Sequence, residues 1–301
     1  MCPNAIENKS GVCYTGNMNV SKHCVIFVLS GLVVLTLAAA GRAYILPPEQ
    51  ILEFMIKHLG PLTTLQISQK TVIYNPSLEE GVQEVDATLY YQYPDRFRYE
   101  VTTPEGQEIR VVGPDGAVVV QKGKIVRERE SRFDHFKDPL LYRNTELLRR
   151  KLSQGEIDFS VVSLGRYRNK ISYVIGARYP DESLPQIWIE KDTFRPIRYI
   201  LTRGDLIDSD SEEVEYTDYT SLGKNKWYPA RILFYKNSRL TRMYVLEDFK
   251  VNPQVSDKLF DTAHLRSLYQ PMAVTKEPLP TSPSELDEVE KAIQDFSKTF
   301  E

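Results

Sequence analysis

Side chains that could do chemistry are few and scattered in this chain of 301 residues. Beyond residue 43 the histidines are His58, His135 and His264, isolated from one another and without a partner at metal-ligand spacing. Each reads as a surface or internally satisfied histidine. The cysteines, Cys2, Cys13 and Cys24, all fall in the first 24 residues. That removes a disulfide framework, a thiolate metal site and a cysteine nucleophile from the body of the chain. The sequence holds no G-x-S-x-G, H-E-x-x-H, Walker A or G-x-G-x-x-G pattern. The acidic run from Asp205 through Asp208, Asp210 and Glu212 to Glu213 alternates carboxylates as calcium loops do. Counted from Asp208, however, Glu213 stands at the sixth position, where such a loop turns on Gly, so the run reads as a solvated hairpin loop. The basic residues Arg127, Arg129, Arg132, Arg149, Arg150 and Lys151 are interleaved with Glu128, Glu130 and Glu146, which reads as a mixed-charge surface. The expectation is no enzymatic activity, no cofactor and no metal.

Function then falls to the apolar side chains and to the elements that position them. The chain is 42% hydrophobic and 26% charged, ordinary for a globular protein and wrong for a disordered or polytopic membrane one. It carries 18 Tyr and 12 Phe, residues that favour strands. A net charge of -3 gives no basic excess, which argues against nucleic acid as a partner.

Ile51, Leu52, Met55, Ile56 and Leu59 recur at helical spacing within Pro48 to Leu59, and Gly60-Pro61 ends that helix. Strand signals follow over Leu65–Tyr74, Val82–Tyr93, Phe97–Thr102, Ile109–Val112, Ala117–Gln121 and Ile125–Arg129, separated by Pro, Gly, Asn and Asp turns. Pro139 to Leu152 reads as one helical stretch. Strands resume over Phe159–Leu164, Ile171–Ala177, a 188–201 hairpin, Val214–Thr220, Trp227–Tyr235 and Leu240–Phe249. Roughly ten strands in series predict one strongly curved antiparallel sheet with helices against it, mainly β with α. Period-2 alternation puts Leu89, Tyr91 and Tyr93, then Phe97, Tyr99 and Val101, on one apolar face. Thr88, Gln92, Arg96, Arg98 and Glu100 fall on the other. Either the apolar face is filled by the helices, or part of it is left for a ligand.

The two termini read differently. Cys24 to Ala40 is an uncharged apolar run preceded by Lys22 and followed by Gly41-Arg42-Ala43. That is the pattern of a secretory signal over residues 1–43, with Met18 as an alternative start. An uncleaved anchor is the competing reading, since such a run is at the short end of spanning lengths. Without residues 1–43 the chain has 35 Lys and Arg against 40 Asp and Glu. Residues 263–283 read as a Pro-rich linker. Residues 284–301 read as an amphipathic helix with Leu286, Val289, Ile293, Phe296 and Phe300 on one stripe.

The stretch LYYQYPDRFRYEVTTPEGQEIR (89–110) resembles the LolA-like family of periplasmic lipoprotein carriers and outer-membrane lipoprotein-sorting proteins. The likeness lies in Tyr93-Pro94, the Arg96-Phe97-Arg98-Tyr99 strand and the Pro104-Glu105-Gly106 turn. WIEKDTFRPIRYIL (188–201), YTDYTSLGKNKWYPARILFY (216–235) and NPQVSDKLFD (252–261) resemble later hairpins and the closing segment of the same superfamily. The resemblance implies an incomplete β-barrel over 44–262, lidded by helices, that shields acyl chains and does no covalent chemistry. It implies Leu89, Tyr91, Tyr93, Phe97, Tyr99 and Val101 as lipid-binding residues. It also implies acyl-chain cargo, with an inner-membrane loading complex and an outer-membrane acceptor as partners. The family carriers have an Arg immediately before that Pro, where this chain has Tyr93. An alternative is an RseB-like periplasmic sensor acting through a protein partner by way of the C-terminal stripe. A third is a membrane-tethered envelope protein, if Cys24–Ala40 is not cleaved.

Overall fold

The computed structural model describes residues 45–74, 81–103, 106–201 and 211–272. The apolar N-terminal run, the Asp205–Asp210 part of the acidic run and the C-terminal stripe lie outside the described residues. Among the described residues no helix is long and apolar enough to cross a membrane.

Helix α1 (Pro48–Leu59) begins on Pro48, whose ring pre-sets the first helical φ, and carries Glu49 in its first turn with Lys57 and His58 in its last. Its stripe of Ile51, Leu52, Met55 and Leu59 is buried. Gly60 ends it at φ 84°, a conformation only glycine adopts without strain.

The strands are β1 (Thr64–Tyr74), β2 (Val82–Gln92), β3 (Arg96–Thr103), β4 (Gly106–Gly113), β5 (Gly116–Gln121), β6 (Lys124–Arg127), β7 (Val162–Tyr167), β8 (Lys170–Ile175), β9 (Gln186–Glu190), β10 (Pro196–Ile200), β11 (Glu212–Ser221), β12 (Trp227–Lys236), β13 (Arg239–Val251) and β14 (Gln270–Pro271). They form one fourteen-stranded sheet in the order β14-β6-β5-β4-β3-β2-β1-β13-β12-β11-β10-β9-β8-β7. The sheet is curved and unclosed, the incomplete barrel that the sequence led us to expect. Two antiparallel meanders meet where β1 pairs with β13 (Leu65 opposite Val251, Ile73 opposite Arg242). The β2–β3 register sets Tyr91 opposite Phe97, Leu89 opposite Tyr99 and Ala87 opposite Val101.

Between β6 and β7 the chain crosses the concave face. It forms a 3-10 helix over Arg132–Lys137, helix α2 (Asp138–Leu141) and helix α3 (Thr145–Gln154). The single helix expected over 139–152 is thus broken at Tyr142–Asn144. The Asn144 side chain accepts from the Leu147 backbone N–H at 2.8 Å, so it caps a new helix and interrupts the old one. Leu147, Leu148 and Leu152 on α3 and Leu140 and Leu141 on α2 join the α1 stripe in one core with the concave side chains of both meanders.

A second core lies on the opposite face of β4–β6. There Ile109, Val111, Val118, Val120 and Ile125 meet Phe260 and Leu265. Leu265 belongs to helix α4 (Thr262–Leu268), capped by the Asp261 side chain on the His264 N–H at 2.8 Å. This corrects the start of the segment read as a linker: α4 and β14 occupy it as far as Pro271, because Leu265 has an apolar face to bury. Its continuation from 273 lies outside the described residues.

Candidate functional site

The six residues expected on the apolar face separate into three environments. Leu89, Tyr91 and Phe97 are fully covered, at 0%, 0% and 3% exposure. The lid sits directly on them. Phe136 of the 3-10 helix packs edge-on to Phe97, Phe234 and Tyr244 with ring centroids 6.4, 5.4 and 5.4 Å apart. Tyr216 donates to the Phe136 carbonyl at 2.8 Å. Tyr93 stands apart on the β2–β3 turn and is 44% exposed. Tyr99 and Val101 lie farther along β3, also buried at 3% and 6% exposure, and border a cleft in the concave face.

That cleft has a volume of about 330 Å³, at the lower end of the ~300–1,000 Å³ of ligand pockets. Its apolar walls are Ile73, Val85, Tyr99 and Val101, and Arg110 and Arg242 reach into it. The Tyr99 ring stacks on Tyr244 at 5.8 Å, and its hydroxyl is 3.0 Å from the Thr71 hydroxyl. A wider neighbouring cleft of about 490 Å³ shares Tyr74 and Thr241 with it and is lined further by Gly81, Arg239 and Leu240.

The lid is anchored by buried charge that the sequence did not disclose. The Lys137 ammonium is completely buried and binds Glu130, the Asp134 carbonyl (2.9 Å) and Asp138 Oδ1 (3.2 Å). The His135 ring lies 2.9 Å from the other Asp138 oxygen. Arg110 and Arg127 both pair with Asp134, at 2.8 and 2.9 Å. Ser131 caps the same carboxylate through its N–H at 2.6 Å and its hydroxyl at 2.7 Å. Burial works against each ion here. Even so, the facing charges of Asp138 and Glu130 hold Lys137 well above the usual lysine range. Burial also opposes ionisation of Asp134, yet Arg110 and the Ser131 hydrogen bonds keep its carboxyl below the usual range.

Glu130, His135 and Asp138 bring their ligand atoms close enough together to hold a metal ion. The Lys137 ammonium already contacts two of these residues and supplies the balancing positive charge. A lysine held protonated in this way is also no nucleophile. The knot therefore fixes structure. Arg127 and Lys151, read as part of a solvated surface, turn inward to it, Lys151 reaching Glu130 at 3.5 Å. The signal for it was the short RFDHFKD stretch, whose charges alternate with aromatics over too few residues to show a period.

A second polar feature ties the lid together. Arg143, between α2 and α3, donates through Nε to the Gly60 carbonyl at the end of α1, 2.8 Å away. Its two terminal nitrogens are buried without a hydrogen-bond partner. Burial pushes the guanidinium down to about 10, still cationic at neutral pH. The other two histidines stay apart from this region. His58 is exposed on α1 and 2.8 Å from the Phe54 carbonyl, and His264 is exposed on α4.

No protein-family model and no curated protein matches the chain. Solved structures do. A LolA superfamily protein from Nitrosomonas europaea, NE2245, superposes with a TM-score of 0.50 at 14% identity, covering 73% of this chain and 100% of that one. A domain described as an outer membrane lipoprotein-sorting protein from Vibrio parahaemolyticus gives 0.45 at 8% identity, over 72% and 97% of the two chains. The MucA/MucB complex of Pseudomonas aeruginosa gives 0.22 at 10% identity, over 77% and 66%. The last two are too distant to carry an argument, and identity this low speaks to fold alone. With its open fourteen-stranded sheet and its lid across the concave face, the described body has the fold of LolA superfamily proteins.

Proposed function

We propose that this protein is a periplasmic binding protein for lipid or lipoprotein acyl chains, which it shields on its concave face without covalent chemistry. The observation that carries the reading is the apolar strip of Ile73, Val85, Tyr99 and Val101, which lines the cleft beside the lid. It continues under the lid into Leu89, Tyr91 and Phe97. A chain entering the cleft extends along β2 and β3 if the lid lifts. Each methylene withdrawn from water contributes about 0.8 kcal/mol, so ten of them contribute about 8 kcal/mol, ample for binding without any reactive group. Lifting the lid costs part of that energy, which keeps cargo releasable. Loading at the inner membrane and delivery at the outer membrane belong to this same reading. The alternative, a sensor acting through a protein partner, draws its support from Leu286–Phe300, outside the described residues.

Native mass spectrometry of the exported, gently purified protein, followed by lipid extraction, tests the proposal. The expected result is an acylated adduct in wild type that is lost in Ile73→Asp and Val101→Asp while circular dichroism stays unchanged. An adduct that persists in both variants, or a folded protein that takes up no acyl chain from micelles, overturns it.

A further inference from the structure

The cleft contains a cation that no carboxylate among the described residues pairs with. Arg242 projects from β13 onto the concave face, half-buried, with its guanidinium 5.4 Å from the Phe234 ring centroid and 6.0 Å from that of Tyr244. Nη1 donates to the Tyr244 hydroxyl at 3.1 Å. No carboxylate among the described residues lies within ion-pair distance of it. Its neighbour in the cleft is treated differently: Arg110, with its guanidinium 5.4 Å from the Tyr99 ring centroid, is paired with both Glu108 and Asp134. Other partly buried arginines in the sheet follow the Arg110 pattern, Arg98 with Glu100 and Arg198 with Glu182 and Glu213. Two guanidinium groups thus converge on one small cleft, and among the described residues the carboxylates serve only one of them.

A guanidinium carries five N–H donors in a planar fork. One faces Tyr244, and the aromatic rings cover part of its surface without satisfying the rest. Drawing a cation partly out of water with a like charge beside it is costly unless an anion arrives. The geometry of the fork suits a carboxylate or a phosphate, which it can bind through two parallel hydrogen bonds. An apolar wall of the same cleft is formed by Ile73, Val85, Val101 and the Tyr99 ring, and Thr71, Thr103 and Glu108, the last paired with Arg110, also line it. A free anion gains nothing from that wall, and a neutral chain gains nothing from Arg242. An amphiphile with an anionic head and an apolar chain uses both.

We propose that Arg242 is the head-group subsite of the acyl-binding cleft, selecting amphiphiles whose head is a carboxylate or phosphate. This rests on the acyl-chain reading and names the ligand class within it. Arg110 is already committed to Glu108 and Asp134, so it contributes field while Arg242 makes the contact. The chain then runs from Arg242 over Val101 and Tyr99 toward Leu89.

The test holds the chain constant and changes the head. Isothermal titration of the purified protein compares decanol, decanoate, decyl phosphate and inorganic phosphate, each against wild type, Arg242→Met and Arg242→Lys. Charge-assisted hydrogen bonds predict that decanoate and decyl phosphate bind wild type about ten- to a hundredfold tighter than decanol. Arg242→Met, which keeps the apolar stem, brings the three within about threefold of one another by weakening decanoate and decyl phosphate. Arg242→Lys retains part of the preference, which separates loss of charge from loss of fold. Equal affinity of wild type for decanol and decanoate overturns the head-group subsite while leaving the acyl-chain reading standing. So does a preference that survives Arg242→Met. Failure of all three chain compounds to bind overturns the acyl-chain reading itself. Displacement of decyl phosphate by an equal concentration of inorganic phosphate assigns the site to a free anion and overturns the lipid assignment.

Discussion

Lys137 and Asp138 are both completely buried and offset each other's charge, with Glu130 also on the lysine and His135 also on the aspartate. Removing one partner of such a pair leaves an uncompensated charge at a cost of about 3–5 kcal/mol, whereas replacing both by apolar groups is close to neutral. Lys137→Met is therefore expected to lower the urea midpoint sharply, and Lys137→Met with Asp138→Leu to recover most of the loss; equal losses in both would contradict the pairing. His135 gives the same knot a pH dependence. Burial opposes its protonation, but the Asp138 hydrogen bond and charge outweigh that and raise it above 6.5. The folded imidazole holds its proton more tightly than the unfolded chain does. Its contribution is thus fully present below pH 6.5 and fades as pH rises through the folded value. Denaturant titrations across that range should show stability falling with pH in wild type and a flatter profile in His135→Gln. None of this was legible in the sequence. Periodicity finds apolar faces, and RFDHFKD has no period long enough to reveal that its charges point inward.

At the scale of elements the sequence was more informative, and its failures are local. The α1 stripe and the hairpin turns were readable, because Pro and Gly fix backbone angles wherever they stand. The break at Tyr142–Asn144 was not, since a capping Asn inside a leucine-rich run competes with helix continuation by only about 1 kcal/mol. Helix α4 was hidden by the Pro-rich composition beyond it. The six apolar candidates were placed correctly by parity on one side of β2 and β3, apart from Tyr93 on the turn. Which of them meets the lid and which the cleft depends on how far the 128–161 crossing reaches, a tertiary matter. The junction of α1 with the rest is the most exacting point of the lid. A Cβ on Gly60 would sit 2.0 Å from the Asn225 carbonyl oxygen, and φ there is positive. Gly60→Ala must therefore displace the end of α1 and with it the carbonyl that Arg143 holds. A loss of about 1–3 kcal/mol is expected from the strained backbone, read as a lower melting temperature. Hydrogen exchange should show it first in α1; an unchanged α1 would mean that the junction bears no strain.

The described sheet is two meanders joined at one seam. Residues 64–127 make one wing in sequence order, residues 162–251 the other, and β1 with β13 stitches them together. Neighbouring strands were legible one hairpin at a time. The seam was not, because it joins segments nearly the whole described body apart and no local signal marks it. One consequence concerns the 128–161 crossing. It leaves one wing at β6 and enters the other at β7, strands at or beside the two free edges of the sheet, and Phe136 within it touches side chains of both wings. The sheet is thus a bow and the crossing its string. Anything that spreads the wings must draw the string taut, and anything that slackens the string lets the bow relax. The wings and the lid thus share one segment, which the pairs of Arg110 and Arg127 with Asp134 pin to the first wing.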